Sequence, residues 1–116
     1  MTTVYLTQTG TFTARHGHGG TLAEDVHAHT FRYEVTFHGP LNPEGYLIDF
    51  RELSAAFEKE INQHFAGRNL GDFFENPTTE AVCLWIYRRV REMFPHLYAV
   101  KVAEEADRWV EYRGEE

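Results

Sequence analysis

His27 and His29 head the run His27-Ala28-His29-Thr30-Phe31-Arg32-Tyr33-Glu34-Val35-Thr36-Phe37, whose apolar and polar residues alternate as in a β-strand. Period two throws both imidazoles onto the apolar face. A similar run from Val4 to His16 puts Phe12, Ala14 and His16 on one face and Thr11, Thr13 and Arg15 on the other. If the two strands pair antiparallel across the loop Gly17 to Val26, the end of the first lies beside the start of the second, and His16 meets His27 and His29. Three neutral imidazoles converging on one point make a zinc site with an open fourth position for water or substrate. The competing reading is a half-solvated strand end without a ligand. His18 is the rival for the third position, and parity prefers His16.

A second anomaly lies near the C-terminus. Tyr98, Val100 and Val102 share one strand face, and the same parity sends Glu104 inward. An unpaired buried carboxylate is costly, so Glu104 needs donors. A bidentate acceptor there suits a ligand with two adjacent N–H groups, such as the edge of a pterin or guanine. The alternative is a strand end twisting back into solvent.

These residues need elements to position them, and the order along the chain reads strand, strand, helix, helix, strand, strand. The second strand runs into the turn cluster His38-Gly39-Pro40-Leu41-Asn42-Pro43-Glu44-Gly45. Asp49 is placed to cap a helix starting near Phe50, with Leu53, Phe57, Ile61 and His64 as its buried stripe. Ala66 to Asn76 reads as a loop. Pro77-Thr78-Thr79-Glu80 opens a second helix, whose inner stripe is Val82, Trp85, Ile86, Val90 and Phe94. Leu97 to Glu104 and Arg108 to Tyr112 alternate as strands.

The 116 residues fit a single α+β domain spanning 1–116. With 11 basic and 18 acidic side chains the formal charge is -7, which argues against nucleic acid or an anionic membrane as partner. No stretch reaches the roughly 20 apolar residues of a membrane span, and the N-terminus has no signal-peptide pattern, so a soluble cytoplasmic protein is expected. Cys83 is the one cysteine; it excludes an intramolecular disulfide and, inside a helical pattern, reads as a packed thiol.

From about Thr11 to Gly114 the chain resembles the 6-pyruvoyl-tetrahydropterin synthase and 6-carboxytetrahydropterin synthase family. Phe12-Thr13-Ala14-Arg15-His16 is similar to the family's F-x-A-x-H, and His27-Ala28-His29 to its H-G-H. Gly45-Tyr46-Leu47-Ile48-Asp49-Phe50 resembles its glycine, three hydrophobics, D-F pattern, and Asn76-Pro77-Thr78-Thr79-Glu80 its N-P-T-x-E. Glu104 falls where the family keeps its pterin-anchoring glutamate. The resemblance implies a T-fold of ββααββ order: a four-stranded antiparallel sheet with two helices on one face. It further implies zinc on His16, His27 and His29, a pterin-like ligand at Glu104, Thr78 and Thr79, and sheets closed into a barrel by a homotrimer or dimer of trimers. In such an assembly Thr78, Thr79 and Glu104 serve a zinc bound by the neighbouring chain.

The departures bear on activity. Family synthases carry a catalytic cysteine four residues before the first histidine of H-G-H, where this chain has Ala23. Their Asp-His pair aligns with Asn62 and Gln63, neither of which is a general base near neutral pH. A shifted alignment brings His64 into that role; on its helical stripe it reads as a packed core histidine. Glu24-Asp25-Val26-His27 resembles an E-x-x-H-G-H variant, in which glutamate replaces cysteine and the chemistry moves towards cleaving the side chain of 7,8-dihydroneopterin. Glu24 is then either that base or a solvated loop acid. Two functions remain: a zinc-dependent lyase acting on the side chain of 7,8-dihydroneopterin or its triphosphate, and a non-catalytic homologue binding a pterin- or purine-like ligand. A small oligomer with a purely structural zinc is the third.

Overall fold

The computed structural model describes residues 1–16 and 27–115, with the backbone alone for His16. Four strands, β1 (Thr3–His16), β2 (His27–Pro40), β3 (Leu97–Glu105) and β4 (Arg108–Tyr112), form one antiparallel sheet in the order β1-β2-β3-β4. Between β2 and β3 lie the helices. The first is α1 (Phe50–Phe57), a π-helical turn (Glu58–Asn62) and α2 (Gln63–Phe65); the second is α3 (Thr79–Met93). Both pack on the face that carries Phe12, Ala14, Phe31, Tyr33, Val35, Phe37, Val100 and Val102, all buried. Asp49 caps α1 by accepting from the Arg51 backbone N–H at 2.9 Å, as its position predicts.

The β1–β2 pairing is the expected one. Phe12 lies opposite Phe31, Ala14 opposite His29, and His16 opposite His27. Gly10 is required by a close approach: a Cβ there would collide with Cζ and Oη of Tyr33, whose ring crosses β1 at that point. The Tyr33 hydroxyl donates to Asn62 Oδ1 at 2.7 Å, and Asn62 Nδ2 donates to Glu58 Oε1 at 3.1 Å. Burial, reinforced by the Glu58 charge, pushes the Tyr33 hydroxyl pKa well above its ordinary value of 10.0.

Three sequence expectations change. His38 to Pro40 belong to β2 and not to the turn, because β1 pairs with them down to Thr3. Tyr98 does not share a face with Val100 and Val102. Thr36 pairs with Ala99 while Phe37 pairs with Leu97, so Tyr98 is an extra residue that turns to the helix-free face. There it meets the Tyr5 and His38 rings at centroid distances of 5.3 and 6.2 Å. The stretch after Phe65 is a loop, as expected, but it holds a 3-10 turn, Leu70–Asp72, that buries Leu70 completely.

Cys83 is buried and donates to the Val100 and Val110 carbonyls at 3.3 and 3.7 Å. Burial pushes its thiol up to about 12, the signature of a packing residue. Among the described residues, no helix is long and apolar enough to cross a membrane.

Candidate functional site

The antiparallel register brings the end of β1 and the start of β2 to one edge of the core. At that edge the apolar filling of the helix-facing side gives way from Phe31 to His29, which is half-buried, and then to His27, which is exposed. The two rings stand 6.2 Å apart between centroids with an 85° interplanar angle. The backbone of His16 is paired directly across from His27. Its side chain, and all of Ala23, Glu24 and His18, lie outside the described residues. Among the described residues no group of three His, Cys, Asp or Glu side chains is arranged to hold a metal ion.

The two described imidazoles nevertheless have a spacing that fits a shared ion. Two imidazoles bound at about 2.0–2.1 Å to one tetrahedral zinc have centroids about 5 Å apart, so His27 and His29 need a mutual approach of only about 1 Å. His29 has a carboxylate beside it: Glu104 Oε2 lies 3.7 Å from His29 Nδ1, with the two side chains 17% and 31% exposed, respectively. The other oxygen, Oε1, accepts from the Thr79 hydroxyl at 3.1 Å. Thr79 is the first residue of α3, and Thr78 is its N-cap, its hydroxyl accepting from the Ala81 N–H at 3.0 Å. Parity along β3 thus carries Glu104 inward, as expected, and one chain joins it to both α3 and His29.

Beside Glu104 opens a cavity of about 300 Å³ lined by Thr79, Glu80, Glu104, Glu105, Arg108, Trp109 and Val110. Trp109 was not singled out by the sequence pattern, which marks it only as a strand residue. In the structure its ring is flanked by Arg32 at 5.3 Å and Lys101 at 5.1 Å, and it also borders a second cavity, of about 320 Å³, along β1 and β2. The cavity thus has an aromatic ring and carboxylates in its lining, the kinds of group that stack on a planar heterocycle and accept from its edge.

Two expected positions are placed elsewhere. Asn62 serves the Tyr33 hydroxyl inside the fold. The segment brought alongside the histidine-bearing strand end is the loop following α2: Gly67 N–H donates to Thr13 O, and Arg15 N–H donates to Arg68 O, both at 2.8 Å, with Asn69 bridging to Arg15. Of Ala66, Gly67, Arg68 and Asn69, only Arg68 bears a charge. His64 stacks on Trp85, with centroids 4.7 Å apart and planes at 14°, and packs against Phe65 and Phe73. Its Nε2 is buried with no hydrogen-bond partner among the described residues.

That environment keeps His64 neutral. Burial, and after it the Arg68 charge, lower its pKa below the ordinary 6.5, while Glu60 opposes the shift. A base whose folded pKa is depressed contributes fully above its unfolded pKa, and the contribution is lost as pH falls from about 6.5 towards the lower folded value, because only the unfolded chain takes up the proton. Wild-type protein should therefore lose more stability than His64→Phe between pH 7.5 and pH 5. Urea midpoints of the two at both pH values measure this, and equal losses would show that His64 does not drive it.

The four-stranded antiparallel sheet with its two helices on one face is a T-fold. Residues 5–115 match the model of the 6-pyruvoyl tetrahydropterin synthase family, and the chain belongs to that family. It is 34% identical over 88 residues, 76% of each chain, to the putative 6-carboxy-5,6,7,8-tetrahydropterin synthase of Archaeoglobus fulgidus. It is 38% identical over 72 residues to the dihydroneopterin monophosphate aldolase of Pyrococcus furiosus, a match covering 62% of this chain and 61% of that relative. Caenorhabditis elegans 6-pyruvoyl tetrahydropterin synthase superposes with a TM-score of 0.87, covering 99% of this chain and 98% of that one, at 21% identity, which speaks for the fold alone.

Proposed function

We propose that the protein is a zinc-dependent lyase that cleaves the side chain of a 7,8-dihydroneopterin, with the monophosphate joining the free compound and its triphosphate as candidate substrates. The observation that carries the reading is the gathering of His27, His29, Glu104 and Thr79 at one end of the sheet, with His16 paired opposite His27. The similarity to a relative named as a dihydroneopterin monophosphate aldolase supports the choice of reaction. His16, His27 and His29 would hold the zinc, which supplies Lewis-acid polarisation of the side-chain hydroxyls.

The chain's own residues account for the rest. Glu104 accepts ring N–H groups, the role a carboxylate suits because both of its oxygens are acceptors. Thr79 holds that carboxylate in place, and Thr78 contributes as the cap that fixes the start of α3. Glu24 takes the proton from the hydroxyl on the second side-chain carbon. The bond between the first and second carbons then breaks, an aldehyde leaves, and the electron pair passes into the ring system until the first carbon takes up the proton that Glu24 removed. His64, held neutral in its aromatic stack, serves packing. The exposed edges β1 and β4 are the strands that a homotrimer or dimer of trimers would join into a closed barrel.

A second reading, a pterin- or purine-like-ligand binder without turnover, draws on the loop 66–69, which offers no general base at the strand end. Zinc-loaded protein incubated with 7,8-dihydroneopterin, its monophosphate and its triphosphate, beside a His27→Ala control, separates the two by product mass. A 6-hydroxymethyl product that disappears in the control supports the lyase. Unchanged substrates with zinc retained leave the binder.

A further inference from the structure

We propose that Glu104 is a positioning residue for His29, presenting its Nε2 to the metal, in addition to any contact with ligand. The inference rests on the reading that His16, His27 and His29 hold zinc. Glu104 sits where β3 departs from its register with β4, between Val102 and Glu105, so its side chain leaves the sheet near the start of α3. Thr79 secures Oε1 at 3.1 Å, which turns Oε2 to within 3.7 Å of His29 Nδ1.

A neutral imidazole carries one N–H. A carboxylate beside Nδ1 draws the proton to that nitrogen and puts the ring's lone pair on Nε2, the arrangement in which metal-binding histidines are commonly held. The 3.7 Å separation is longer than a direct hydrogen bond, so in this state the contact is electrostatic, and a small ring rotation closes it. The half-burial of both side chains keeps the attraction from being fully screened. Zinc and ligand then act through one carboxylate, and the two binding events are thermodynamically coupled.

The test is zinc affinity, by competition with a chromogenic chelator, for the full chain and for Glu104→Ala, Glu104→Gln and Thr79→Val. Glu104→Ala should bind zinc about 10–100-fold more weakly. Glu104→Gln, which keeps the shape and an acceptor oxygen, should recover part of that loss, and Thr79→Val should lie between it and wild type. Long-range 15N correlation spectra should show His29 protonated at Nδ1 in the zinc-free wild type and a mixture of tautomers in Glu104→Ala. Zinc affinity unchanged in Glu104→Ala, with the same His29 tautomer, would overturn the assignment while leaving the zinc site standing. Wild-type protein that takes up no zinc would instead overturn the functional reading, and this inference with it.

Discussion

Replacing His27 by alanine should abolish tight zinc binding and leave the fold intact. His27 is the first residue of β2 and is exposed, so truncation removes little packing, and surface substitutions of this kind usually change stability by no more than about 0.5 kcal/mol. The metal loses far more. Carboxylates that merely orient a ligand are worth about 10–100-fold in affinity, and a ligand removed outright from a three-histidine set should cost more than about 100-fold. The same chelator competition, paired with thermal unfolding of the zinc-free proteins, gives both quantities. Wild-type zinc affinity in the variant would locate the metal away from the β1–β2 end.

Phe65→Ala should have the largest effect on stability. Phe65 is fully buried at the end of α2 and is the hub of an aromatic cluster: its ring lies 5.0 Å from Phe12, 5.5 Å from Phe73 and 4.7 Å from both His64 and Trp85. It therefore ties the first helix to β1 and α3 at once. Truncating a buried phenylalanine costs about 3–5 kcal/mol. Against a total of about 5–15 kcal/mol for a domain of this size, that approaches unfolding. Urea denaturation should show a large fall in the midpoint, and a loss below about 1 kcal/mol would mean that the loop containing Leu70 collapses into the space. Zinc affinity should fall in the folded fraction too, because Phe12 lies four residues before His16 on the strand that Phe65 supports.

Much of the site could be read along the chain because its geometry is local to strands. Alternation fixed the faces of Phe12, Ala14, His27, His29 and Glu104, a capping rule fixed the start of the first helix at Asp49, and the Pro77-Thr78-Thr79-Glu80 pattern marked the start of the second. What failed did so where distant segments decide. The Tyr98 face depended on a bulge that forms only when β3 meets β2. The residues alongside the histidines depended on how far the first helix runs past β1. Its π turn directs Asn62 to Tyr33 and leaves Ala66 to Asn69 beside Thr13 and Arg15. Trp109 looked like any strand aromatic until β4 set it beside Arg32 and Lys101 and at the rim of a cavity.

The sequence by itself determined the element order, the strand face shared by His27 and His29, and the inward carboxylate, since each follows from a repeat of two or from a cap a few residues away. Only the tertiary structure decided that Glu104 faces His29 within one chain, that Thr79 holds it there, and that His64 is a stacking residue. Those contacts join residues 21 to 75 positions apart, and such pairings are set by packing of whole elements, which no local pattern encodes.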